Sequence, residues 1–144
     1  MFNISTNGLE RKGIMSNSLH DLHAQVIGYL KQGKFVEGIE DFYAENATAQ
    51  ENGNLPTVGR TTMASNERAF AKKLTAYHGI DVLATVVNEH GGGNGIVFYE
   101  AVINWDRSDT GHETVNEVVV ERWKDGKIAD IRFYGNFDPG PIGN

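Results

Sequence analysis

From residue 80 to residue 135 the apolar residues repeat with a period of two rather than 3.6, through four segments each long enough to cross a sheet. Ile80, Val82, Ala84 and Val86 alternate with Asp81, Leu83, Thr85 and Val87, and HGGGNG then makes a glycine-dense turn. Residues 95–106 (GIVFYEAVINWD) and 112–123 (HETVNEVVVERW) flank the turn RSDTG, and Asp125-Gly126 opens a tight hairpin into 127–135 (KIADIRFYG). Tight turns between long strands prescribe an antiparallel meander. Strands of this length curl, so the sheet needs something packed in its concave side.

The preceding residues supply that cover. Leu19, Leu22, Val26 and Leu30 are spaced 3, 4 and 4 behind Ser18, with Asp21 in a capping-box-like position, and define a first helix ending near Gly33. Phe35, Ile39 and Phe42 mark a short second helix, and ATAQEN (47–52) reads as a short strand before a loop at Gly53, Asn54 and Pro56. Thr61 and Thr62 are positioned to cap a third helix with the stripe Met63, Phe70, Leu74 and Tyr77, closed by Gly79 as a C′ glycine. Helices segregated from strands give an α+β chain in the order ααβαββββ, with three helices on a curved, mostly antiparallel sheet. The expected domain covers 17–137. Residues 1–16, which include a second methionine at Met15, read as a polar mobile leader or as the product of a mis-set start, and 138–144 as an irregular tail.

Composition narrows the function. The 144 residues carry 13 basic and 19 acidic side chains, for a net charge of −6, and no basic cluster that would mark a nucleic-acid surface. There is no cysteine, which removes disulfides, thiolate catalysis and cysteine metal sites and points to the reducing cytoplasm. Polar residues interrupt every apolar run, so no membrane span is expected.

Four stretches, GKFVEGIEDFYAENATAQEN, VGRTTM, VVVERWKDGKI and ADIRFYGN, in this order, resemble the SnoaL-like branch of the nuclear transport factor 2-like (NTF2-like) superfamily over about residues 18–136. That superfamily also holds ketosteroid isomerases, polyketide cyclases and limonene epoxide hydrolases. A curled sheet facing three helices encloses a cone whose mouth can hold a small apolar ligand, and alternating Val, Tyr, Trp and Arg on the outer sheet face favour a homodimer paired there.

The resemblance also implies a site. Glu51 falls where the isomerases hold their proton-shuttling carboxylate, and a desolvated carboxylate there could take a proton from beside a carbonyl. Its neighbours Asn52, Gly53 and Asn54 equally suit a solvated acid beside a loop. The isomerase oxyanion donors do not carry over. Val26 and Val119 occupy the positions of the tyrosine and the protonated aspartic acid that form the oxyanion hole of ketosteroid isomerase, so steroid-type isomerisation is disfavoured. On 112–123, Glu117, Val119, Glu121 and Trp123 share one face. The family pattern turns it inward, where Glu121 would need Arg132 or a ligand as partner; the other register makes Glu121 one half of a surface pair. Glu100 has the same ambiguity. Asp130 and Arg132 do not reproduce the ordered acid-arginine-acid set of the epoxide hydrolases.

Glu51 and Glu121 are therefore the catalytic candidates, with Asn52, Tyr43, Phe70, Trp123 and Phe133 as ligand-binding candidates. His20 and His23 lie three apart without a third ligand, His78 reads as a helix-terminal cap, and His90 and His112 sit at hairpin ends. Neither a metal nor a cofactor is expected. Two functions fit: a cofactor-independent isomerase- or cyclase-type enzyme for a small apolar carbonyl-bearing or polycyclic molecule, or a non-catalytic homodimeric binding domain.

Overall fold

A computed structural model describes residues 18–137; the leader expected at 1–16 and the tail at 138–144 lie outside them. The element order is α1 (Leu19–Lys31), α2 (Phe35–Phe42), β1 (Tyr43–Glu51), β2 (Thr57–Val58), α3 (Arg60–Ala71), β3 (Leu74–Gly91), β4 (Asn94–Arg107), β5 (Gly111–Lys124) and β6 (Lys127–Gly135). Among the described residues six strands form one sheet in the order β2-β1-β6-β5-β4-β3. The meander β3 to β6 is antiparallel throughout, and β1 joins it parallel to β6. The sheet is thus mixed, curved and open, and the fold is α+β, with the helices packed on the sheet.

Ser18 caps α1 by accepting from the Asp21 amide at 3.1 Å, which satisfies one of the helix's orphan donors. The apolar stripe of α1 is pressed into the sheet: Leu19 and Val26 pack with Val97, Val119, Ile128 and Ile131 in the core. Each such side chain contributes about 1.5–3 kcal/mol relative to exposure.

Three boundaries differ from the sequence expectation. The third helix stops at Ala71, and its N-cap is Gly59 rather than Thr61 or Thr62. Leu74, Tyr77, His78 and Gly79 belong to β3, so Gly79 is no helix C′ residue and His78 no helix cap. The stripe Phe70, Leu74, Tyr77 obeys helical spacing, but tertiary pairing with β4 outweighs it. A bulge between Tyr77 and Gly79, with Gly79 at φ +108°, takes up the mismatch. The first strand also begins at Tyr43 rather than residue 47, directly after Phe42.

Candidate functional site

The helices and the concave sheet face enclose a cavity of about 420 Å³, with Tyr43, Phe70, Tyr99, Trp105 and Phe133 among its walls. A second hollow of about 400 Å³ shares Glu51, Glu67, Phe70, Trp105 and Phe137 with it, so these residues stand at the mouth. Strand alternation decides what β5 presents. Val115, Glu117, Val119, Glu121 and Trp123 are buried while Asn116, Val118 and Arg122 are exposed, so the Glu121 face is the inward one. Glu100 is on the exposed face of β4.

At the inner end, Glu121 is 0% exposed. One carboxylate oxygen, Oε1, is bonded to His23 Nδ1 at 2.9 Å and accepts from the Trp123 indole N–H at 3.0 Å. The His23 ring lies against Tyr99, centroids 4.9 Å apart. His23, not Arg132, is therefore the partner of Glu121. Arg132 stands opposite Val120 in the sheet register and reaches Asp130 at 3.4 Å, which also meets Arg122 at 3.3 Å. His20 is exposed and does not join His23. Trp123 is 4% exposed and serves Glu121 from behind the cavity wall rather than forming that wall.

At the mouth the acids are arranged differently. Glu51 ends β1 on the exposed rim, and its like charge acts on both Glu67 and Glu117. Glu117 is 6% exposed, and burial first, then the Glu51 charge, pushes its carboxyl up to about 7. Glu67, half-buried on α3, is pushed up to about 7 by the same two causes in the same order. Burial raises the Tyr43 hydroxyl above its ordinary value, helped by the charges of Glu121, Glu67 and Glu117, so this phenol remains a proton donor facing the acids. Asn52 adopts φ +49° and turns away from the cavity. Its amide donates to Gly135 O at 2.9 Å and accepts from Gly135 N at 3.0 Å, which clamps the rim of β1 to β6.

Sequence reasoning did not single out Glu67, nor His23 as the partner of Glu121, although both signals were there. Glu67 stands four residues after Met63 and three before Phe70, inside the apolar stripe of α3, and His23 stands between Leu22 and Val26 in that of α1. Among the described residues one group offers converging metal-ligand atoms: His78, Asp106 and His112, within 4.8 Å of one another.

No protein-family model matches this chain, and no curated protein is similar to it at the sequence level. Solved structures do match. A candidate SnoaL-like polyketide cyclase from Mesorhizobium loti aligns with TM-score 0.66 at 22% identity, over 81% of this chain and 97% of that one. A ketosteroid isomerase-like protein from Erwinia carotovora atroseptica aligns with TM-score 0.64 at 8% identity, over 88% and 98%. An NTF2-like protein of unknown function from Burkholderia xenovorans gives 0.60 at 16%, over 86% and 88%. At these identities the shared property is the architecture. The chain has the NTF2-like fold, with an aromatic cavity and an acidic mouth.

Proposed function

We propose that this protein is a cofactor-independent enzyme of the isomerase or cyclase type, acting on a small apolar carbonyl-bearing or polycyclic molecule by general acid/base chemistry. The observation that carries this reading is Glu117, a carboxyl nearly sealed in the cavity wall and titrating at about 7. A carboxyl so placed keeps its proton closer to neutral pH than an ordinary glutamate does, and a protonated carboxyl can donate a hydrogen bond to a developing oxyanion. Glu51, on the rim, takes a proton from the carbon next to the carbonyl. The protonated Glu117 and the Tyr43 hydroxyl donate hydrogen bonds to the carbonyl oxygen as it gains charge, replacing the donors absent at Val26 and Val119. The proton on Glu51 returns to the rearranged carbon, so the reaction needs no net acid or base. Glu121, bound to His23 and Trp123, acts as a positioning residue that fixes the β5 face. Phe70 and Phe133 hold the apolar body of the molecule.

The exposed rim position of Glu51 favours a second reading, a homodimeric small-ligand-binding domain without chemistry. Val86, Phe98, Val118 and Tyr134 leave an exposed apolar patch on the outer sheet face, which supports pairing of two copies there in either reading. No helix among the described residues is long and apolar enough to cross a membrane, and the lack of cysteine supports a cytoplasmic place of work.

Hydrogen-deuterium exchange at the α-carbon of a bicyclic ketone, 2-tetralone, followed by NMR in D2O, tests the chemistry. The enzyme reading expects faster exchange with the protein than with buffer, and loss of that acceleration in Glu51→Gln at nearly unchanged melting temperature. Binding of the ketone without accelerated exchange would leave the binding domain as the function.

A further inference from the structure

We propose that His78, Asp106 and His112 form a binding site for a divalent transition-metal ion of the zinc class, on the sheet face opposite the cavity. Three adjacent strands supply one ligand each. Asp106 on β4 is in direct register with His112 on β5, and its neighbour Trp105 faces the cavity, so Asp106 projects from the other side. On β3 the register runs Ala76 to Asp106, Tyr77 to Trp105 and Gly79 to Asn104, which leaves His78 as the extra, unpaired residue of the bulge. Bulges re-aim a side chain at the cost of a ladder bond. Here the re-aimed side chain is an imidazole, and Gly79, at φ +108°, provides the backbone conformation that makes it possible.

The result converges on one carboxylate. His78 Nε2 is 3.0 Å from Asp106 Oδ2, His112 Nδ1 is 2.7 Å from Asp106 Oδ1, and the two rings lie 5.6 Å apart between centroids. The three donor atoms fall within 4.8 Å of one another, and all three side chains are solvent-accessible, at 46%, 35% and 58%. Two imidazole nitrogens and one carboxylate oxygen suit zinc, cobalt or nickel and discriminate against calcium and magnesium, which prefer oxygen alone. Three protein donors leave further coordination positions to water. An ion held there would tie β3, β4 and β5 together at one end of the sheet and stabilise the folded chain by mass action. The same contacts also serve a purely hydrogen-bonded triad, so the experiment has to separate the two.

The full chain, freed of metal by chelator and dialysis, is titrated with Zn²⁺ by calorimetry and with Co²⁺ by visible absorption. One ion per chain is expected, together with a Zn²⁺-dependent rise in melting temperature. His78→Ala and His112→Ala should each weaken binding at least about tenfold, the loss caused by disturbing even an outer partner of a ligand. His90→Ala, at the far hairpin, should change nothing. Absence of saturable binding up to on the order of 100 µM Zn²⁺ would overturn the proposal. Binding that survives both ligand substitutions, or that His90→Ala weakens equally, would overturn it too. All of these side chains are on the surface, and circular dichroism checks that the variants keep the fold.

Discussion

Two glutamates four residues apart on the same face of β5 meet opposite fates. Glu121 is wholly enclosed and has two hydrogen-bond partners on one oxygen, His23 and Trp123. Glu117 is almost as enclosed, and the charge that acts on it is another carboxylate, Glu51. Burial penalises the ionised form of any acid, and partners decide whether the chain recovers that cost. The inner acid therefore belongs to the architecture, and the outer one is held in the unstable, protonatable state that chemistry exploits.

The largest effect should come from breaking the inner arrangement. Glu121→Leu strands His23 and the Trp123 indole inside the core, and a buried polar group left without its partner typically costs about 1–3 kcal/mol, here for two groups. Urea unfolding measures it, and a loss under about 1 kcal/mol would put the two glutamates on the same footing. The outer acid should respond with the opposite sign. A carboxyl raised to about 7 in the folded chain, against an unfolded value near 4.5, is protonated when folded and ionised when unfolded between those two pH values. Ionised Glu117 therefore destabilises the fold progressively as pH rises from 4.5 through 7. Glu117→Gln removes that cost, so it should raise stability by about 1–3 kcal/mol at pH 8 and by nearly nothing at pH 4.5. A Glu117→Gln chain less stable than the parent at pH 8 would mean that the glutamate has a partner there. The smallest effect sharpens the cause. Burial outranks Glu51 in raising both Glu117 and Glu67, so Glu51→Gln should lower their titration midpoints, followed by carboxyl ¹³C shifts, by a fraction of a pH unit and leave most of each shift in place.

The architecture was legible because the meander of long alternating segments between tight turns admits few alternatives. The end of the third helix was not. Phe70, Leu74 and Tyr77 satisfy a helical period, and only pairing with β4, a contact between distant residues, turns 74–79 into strand. The site was half legible. Alternation placed Glu117 and Glu121 on one face, yet period two assigns a face and not a partner, so it could not distinguish Arg132 from His23. Choosing His23 requires knowing how α1 lies across the sheet. Asn52 illustrates the same limit at the rim: a polar loop residue beside a candidate base reads as a ligand contact, and folding spends its amide on Gly135 instead.

The parallel pairing of β1 with β6 has a consequence for the order of assembly. Glu51 sits opposite Phe133, and the amide after it donates to the Phe133 carbonyl at 2.8 Å. As the chain emerges from a ribosome, β1 and its rim acid come out first among the strands, but the strand that seats them is the last of the sheet. Such a distant pairing is slow to close. The nascent protein can therefore build its helices and most of its meander while the rim stays unassembled, until β6 has emerged.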